Sequence, residues 1–210
     1  MGPIIFSLIS VAQIASGYVN SYVSCGSVVK LVNSKFPVRL HGPGIPYGAG
    51  SQQQSVTGSP NQIEPGSNWQ IKGNTTKFCS RGFPIMCGQV IRLENCELKK
   101  NLHSHDFRSM LSNSQEVSLY GDDGDGDAGD DWKVVCSDEF WRIDDDVSFF
   151  HVGTKKYLEA SGHQYPQPID GHMEIIGAKM ISQRSKWKAS EGAFVHPPEN
   201  WGAPPKHTEL

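Results

Sequence analysis

A Leu followed about thirty residues later by a Trp occurs three times along this chain, as Leu40 to Trp69, Leu102 to Trp132 and Leu158 to Trp187. Each Leu is preceded by an aliphatic alternation, Val29-Lys30-Leu31, Ile91-Arg92-Leu93 and Val147-Ser148-Phe149. Each Trp opens another, Trp69-Gln70-Ile71, Trp132-Lys133-Val134 and Trp187-Lys188-Ala189. Between Leu and Trp lies an apolar-x-Gly step, read as Val56-Thr57-Gly58, Leu119-Tyr120-Gly121 and Ile175-Ile176-Gly177. The spacing recurs too regularly for coincidence, so the chain is a threefold internal repeat.

Apolar and polar residues alternate within each copy, the period of a strand with one buried face. Gly, Pro, Asn and Ser clusters such as Gly42-Pro43-Gly44, Ser59-Pro60-Asn61 and Pro65-Gly66-Ser67 punctuate the strands as turns. Four short strands in each of three copies make about twelve, which favours closure over a flat sheet. The expected fold is an all-β, pseudo-threefold β-trefoil over residues 18–195, with copies near 25–79, 87–136 and 140–192. The repeated Leu and Trp positions then belong to the core.

Residues 1–17 carry no charged side chain, hold the apolar run Ile4, Ile5, Phe6, Leu8, Ile9 and Val11, and end in Ala15-Ser16-Gly17. This reads as a secretory signal peptide, too short to span a bilayer, and no membrane insertion is expected. The last four residues, His207, Thr208, Glu209 and Leu210, follow a Pro-rich tail over 196–210 and resemble receptor-read endoplasmic reticulum retrieval signals, with Thr where Asp is usual. The expected location is the lumen of that compartment, where disulfides persist. Cys25 and Cys87 precede equivalent aliphatic residues by the same interval, and Cys79 and Cys136 each follow a Trp strand, so Cys25 is expected to pair with Cys79 and Cys87 with Cys136. Loops of about 50 residues would each contribute roughly 4 kcal/mol by the chain-entropy account. Cys96 is left free. Asn74-Thr75-Thr76 is an N-glycosylation acceptor, which would make the product a glycoprotein.

Six carboxylates lie between Asp122 and Asp131. An EF-hand register starting at Asp123 puts Ala128 where Gly is required and Val134 where Glu is required, so a solvated turn is the primary reading. Weak calcium binding or a basic partner surface are the alternatives, and Asp122, Asp123, Asp125 and Asp127 are candidate contacts. A second candidate surface gathers Arg39, His41, His103 and His105 at strand ends. Zinc on these histidines is disfavoured, because a threefold rotation turns equivalent residues apart. No hydrolase, phosphate-loop, dinucleotide or metalloprotease signature is present, so neither catalysis, cofactor nor metal is expected. A net charge of -3 with scattered Lys and Arg disfavours nucleic acid. Recognition should lie where the copies differ: the acidic turn, the Gly- and Gln-rich loop of copy one, and the 162–171 loop.

Several segments resemble the stromal cell-derived factor 2 family, whose members consist of three MIR motifs. They are Cys25 to Leu31, Val38-Arg39-Leu40-His41, Gln53 to Gly58, Asn101 to His105, Asp130-Asp131-Trp132, Gly162 to Tyr165 and Trp187 to Gly192. The resemblance implies a β-trefoil, and its four paired cysteines match Cys25, Cys79, Cys87 and Cys136. It implies a lumenal, non-enzymatic role in protein quality control and the unfolded protein response, in a chaperone complex with a DnaJ-type co-chaperone and Hsp70, helping keep misfolded clients soluble. O-mannosyltransferases or mannose glycans are the alternative partners. A ricin-type Gln-x-Trp is absent, since Ser67, Asp130 and Ser185 stand two residues before the Trp positions.

Overall fold

The computed structural model describes residues 22–196; the expected signal peptide at 1–17 and the His207 to Leu210 tail lie outside the described residues. Thirteen strands fall into three copies. Copy one holds β1 (Val28–Asn33), β2 (Arg39–His41), β3 (Gln54–Ser55), β4 (Thr57–Ser59) and β5 (Trp69–Gly73). Copy two holds β6 (Val90–Asn95), β7 (Lys100–Arg108), β8 (Gln115–Tyr120) and β9 (Trp132–Val135). Copy three holds β10 (Ser148–His151), β11 (Lys156–Gln164), β12 (Met173–Ala178) and β13 (Trp187–Ala193). β3 and β4 are one strand interrupted at Val56, so each copy supplies four strand positions.

The first and last strands of every copy close a six-stranded antiparallel barrel. β13 pairs with β1, β1 with β5, β5 with β6, β6 with β9 and β9 with β10, and a Val147 to Trp187 bridge completes the ring. The remaining hairpins, β2/β4, β7/β8 and β11/β12, cap one end, with β12 joining both β4 and β8. This is the β-trefoil, in which closure leaves the barrel no edge strand to aggregate. Strict alternation carries the pattern: in β1 and β5 every second residue is buried, and the buried set merges into one core with Leu31, Leu93, Phe149 and the repeat tryptophans all fully enclosed.

The Leu–Trp spacing has a direct physical cause. The indole Nε1–H of Trp69 donates to the Leu40 carbonyl at 2.8 Å, Trp132 to Leu102 at 2.9 Å, and Trp187 to Leu158 at 3.0 Å. An enclosed indole N–H without an acceptor is costly, as at Trp141, whose Nε1 meets none among the described residues, and at the three repeat positions each copy provides the acceptor at the same place. A second threefold set links successive copies. Asn95 donates through Nδ2 to the Gly66 carbonyl at 2.7 Å, His151 Nε2 meets the Gly129 carbonyl at 2.8 Å, and Asn33 donates to the Arg184 carbonyl at 2.8 Å. Each partner carbonyl lies in a 3-10 turn, Pro65–Ser67, Ala128–Asp130 or Gln183–Ser185, that leads into a Trp strand. Copy two thus grips copy one, copy three grips copy two, and copy one grips copy three.

One element of the repeat register is corrected. Gly58 pairs with Leu40 and Gly177 with Leu158, but Leu102 pairs with Leu119, so the second-copy counterpart of Val56-Thr57-Gly58 is Val117-Ser118-Leu119, two residues upstream of Leu119-Tyr120-Gly121. Gly121 serves the following turn instead: its φ is +89° and a Cβ there would collide with the Asp125 carbonyl. Disulfides join Cys25 to Cys79 and Cys87 to Cys136, each within one copy, and Cys96 is free and half-buried. Substituting Trp69, Trp132 or Trp187 by Phe keeps most of the apolar bulk but orphans a buried carbonyl. Each change should lower stability by about 1–3 kcal/mol in urea unfolding.

Candidate functional site

The acidic segment divides into an exposed rim and a buried root. Asp122 and Asp125 pair as the ends of a two-residue hairpin turn, exchanging N–H···O bonds of 3.1 and 2.9 Å. Asp123 and Gly124 at its tip both have positive φ, at +48° and +80°, the conformation an Asp-Gly pair favours between antiparallel strands. Asp122, Asp123, Asp125 and Asp127 are exposed. The last two carboxylates are structural. Asp130 is fully buried and accepts from His103 Nδ1 at 2.9 Å and from the Asp127 amide, and Asp131 accepts from the Thr75 amide and hydroxyl at 3.0 and 2.8 Å.

Opposite the acidic rim stands the Gln-rich loop of copy one. β3 adds to β8, pairing Gln54 with Leu119 and Ser55 with Ser118. Ser118 donates to Gln53 Oε1 at 2.6 Å, and the Ser51 hydroxyl donates to the buried Glu116 carboxylate, which also meets His105 Nε2 at 3.2 Å. Gly50, at φ +71°, lets the loop pass over Glu116, because a Cβ there would overlap the carboxylate. A cleft of about 830 Å³ results, with Gln52 and Gln53 on one wall and Lys100, Tyr120 and the four exposed carboxylates on the other. An adjoining recess of about 540 Å³ shares Gln53, Tyr120 and Asp127 with it and adds His103 and His105. Two of the loops in which the copies differ therefore form one surface. Tyr120, 39% exposed, and Lys100 were not singled out by sequence reasoning, which had only the neighbouring acidic run as a signal.

The expected Arg39, His41, His103 and His105 surface is not a single cluster. His103 and His105 sit together, ring centroids 5.0 Å apart, at the recess of copy two. Arg39 instead holds Glu191 in an ion pair and depresses that carboxyl, while His41 is enclosed against Ser67, Glu64 and His172. The threefold rotation separates the two pairs.

Position by position, the three copies build the same latch from different groups. His41 meets Ser67 Oγ at 3.0 Å in copy one, His103 meets Asp130 in copy two, and in copy three Glu159 accepts from Ser182 at 2.7 Å. Each follows a repeat Leu and ties the strand to the turn before the Trp. Burial pulls the His41 pKa from 6.5 to about 4, against a smaller opposing effect of Glu64, and burial also lowers His151 and His172. Burial raises the Asp130 carboxyl, with His103 opposing. Because these imidazoles bind protons more weakly folded than unfolded, the unfolded chain takes up protons first as pH falls through 6.5. Stability should fall between pH 6.5 and about 4, by up to about 3 kcal/mol for His41 alone. Urea unfolding at stepped pH checks this, and His41→Gln should flatten the profile.

Chemically, the cleft offers carboxylates, amides, one phenol and one ammonium on an open surface. These are hydrogen-bonding and charge-pairing groups suited to holding a polar or basic ligand. Among the described residues no helix is long and apolar enough to cross a membrane. No family model matches the chain. It is 48% identical to stromal cell-derived factor 2 of Bos taurus over 188 residues, 90% of this chain and 89% of that one. The crystal structure of the SDF2-like protein from Arabidopsis thaliana superposes with a TM-score of 0.82 at 35% identity, covering 85% of this chain and 99% of the other. The S. cerevisiae protein O-mannosyltransferase Pmt1-Pmt2 complex, bound to its sugar donor, matches with a TM-score of 0.74 at 26% identity over 87% of this chain and 27% of that one. With this degree of identity along nearly the whole trefoil, the chain belongs to the stromal cell-derived factor 2 family.

Proposed function

We propose that the chain is a non-catalytic subunit of a folding and quality-control assembly in the endoplasmic reticulum lumen. In this reading it joins a DnaJ-type co-chaperone and Hsp70 and binds them, and misfolded clients, through its trefoil surface. The observation that carries the reading is family membership over 90% of the chain. The two disulfides and the Asn74 acceptor support a lumenal setting. The acidic cleft supports recognition, since its carboxylates are exposed rim groups beside an ammonium, a phenol and amides. The signal segment at 1–17 brings the chain into the lumen, and His207 to Leu210 return it there.

Pull-down from lumenal extract should recover the co-chaperone and Hsp70 above background. Replacing Asp122, Asp123 and Asp125 together by Asn, at exposed positions outside the core, should reduce that recovery severalfold if the cleft faces the partner. Recovery of no chaperone by the folded wild-type protein would count decisively against the reading.

A second reading, a lectin-like module associated with O-mannosylation, is favoured by the likeness to the O-mannosyltransferase complex and by the cleft's combination of a phenol, amides and carboxylates. On a glycan array it predicts mannose-dependent binding that Tyr120→Ala abolishes.

A further inference from the structure

The latch of copy two has a composition the other two copies do not share. At the equivalent place copy one holds one imidazole, one hydroxyl and one carboxylate, His41, Ser67 and Glu64. Copy three holds the carboxylate of Glu159 with the hydroxyls of Ser182 and Ser185. A hydroxyl is therefore enough to fasten this turn. Copy two alone places two carboxylates on one imidazole nitrogen: His103 Nδ1 stands 2.9 Å from Asp130 Oδ1 and 3.7 Å from Asp127 Oδ1, and the three donor atoms lie within 4.8 Å of one another.

We propose that His103, Asp127 and Asp130 form a site for a divalent transition-metal cation of the zinc class. Zinc bonds of about 2.0–2.1 Å in a tetrahedral arrangement separate neighbouring donors by about 3.3 Å. The observed 2.9 and 3.7 Å lie on either side of that value, so small side-chain adjustments complete the set. Metal binding replaces the Nδ1 proton that His103 donates to Asp130, leaving a neutral ring with its hydrogen on Nε2. Asp130 Oδ2 takes the Asp127 amide at 2.9 Å and Asn101 Nδ2 at 3.3 Å, leaving Oδ1 facing only His103. Asp127 accepts from the Gly129 amide at 2.7 Å and, as N-cap, from the Asp130 amide, two of the roughly four acceptor sites a carboxylate offers.

The surroundings fix the ligands and leave access. The ring of His103 packs against Tyr120 and His105, at centroid distances of 4.8 and 5.0 Å, which holds its orientation. Asp130 is enclosed, and the Asn101 amide that steadies it is itself fully buried. Asp127 is exposed, and it lines the recess together with His103, so a fourth position opens to solvent or to a ligand in the cleft. Two carboxylates, one enclosed at Asp130 and one exposed at Asp127, face the same imidazole nitrogen, an arrangement a divalent cation suits. The nitrogen ligand favours zinc over calcium, which takes oxygen. The threefold rotation does separate His41 from His103, but the acidic turn, from the same copy, supplies the missing ligands.

Full-length protein purified from the endoplasmic reticulum of a eukaryotic host, stripped with a chelator and titrated with Zn²⁺ in a calorimeter, tests the site. The expected result is one equivalent bound at the wild-type latch. Asp127→Asn keeps an N-cap oxygen and hence the turn, and it should lower zinc affinity about tenfold or more. His103→Gln should do the same, with native tryptophan fluorescence confirming that each variant is folded. Absence of zinc binding by folded wild-type protein overturns the proposal, as does unchanged affinity in both variants, which would place the metal on other histidines.

Discussion

Three enclosed indole N–H groups, each donating to the carbonyl of a Leu 29 or 30 residues earlier, are the interaction on which the rest of this trefoil depends. A Trp side chain contributes large apolar area to the core, and enclosing it is cheapest where its one polar atom finds an acceptor; Trp141, outside the repeat positions, is enclosed with its Nε1 unpaired among the described residues and bears that cost. Meeting that condition fixes where the last strand of each copy lies relative to the second. The barrel and its hairpin cap are thereby locked in register. The residue after each Leu, His41, His103 or Glu159, points toward the turn before the Trp and is free to vary, because the indole bond has already set the distance it must bridge.

The same condition made the fold legible in sequence. A hydrogen bond at a constant chain separation leaves a constant spacing, and the cysteines are phased by it: each disulfide joins a cysteine before the first strand of a copy to one after its last. Where a copy departs from the rule, the pattern misleads. Gly121 looked like the counterpart of Gly58 and Gly177, but the counterpart is Leu119, and the glycine is required by the left-handed turn beyond the strand. Residue type alone could not distinguish the two demands for glycine.

The candidate site was legible only in its parts. Both the acidic turn and the Gln-rich loop stood out as places where the copies differ, and nothing in linear order says that they face each other. Their meeting follows from β3 adding to β8, a pairing between copies that rests on two residues from each strand. Histidines at equivalent positions were likewise grouped by sequence and are divided by rotation. Conversely, the proximity of His103 to Asp127 and Asp130 follows from the latch geometry, which has no signature at short spacing.

The bonds from Asn33, Asn95 and His151 to the turns of neighbouring copies run in a circle, and the described chain ends lie within that circle, with Val195 bonded to the side chains of Ser24 and Ser27. A circle has no privileged starting point. Each disulfide closes inside a single copy, so the covalent cross-links respect the same boundaries. The junction between copies one and two is itself part of the circle, since Phe83 and Ile85 bond back to Cys25 and Val23 beside the described chain start. In evolutionary terms, such a molecule is a closed ring of modules whose order around the axis matters more than the order in which they are translated.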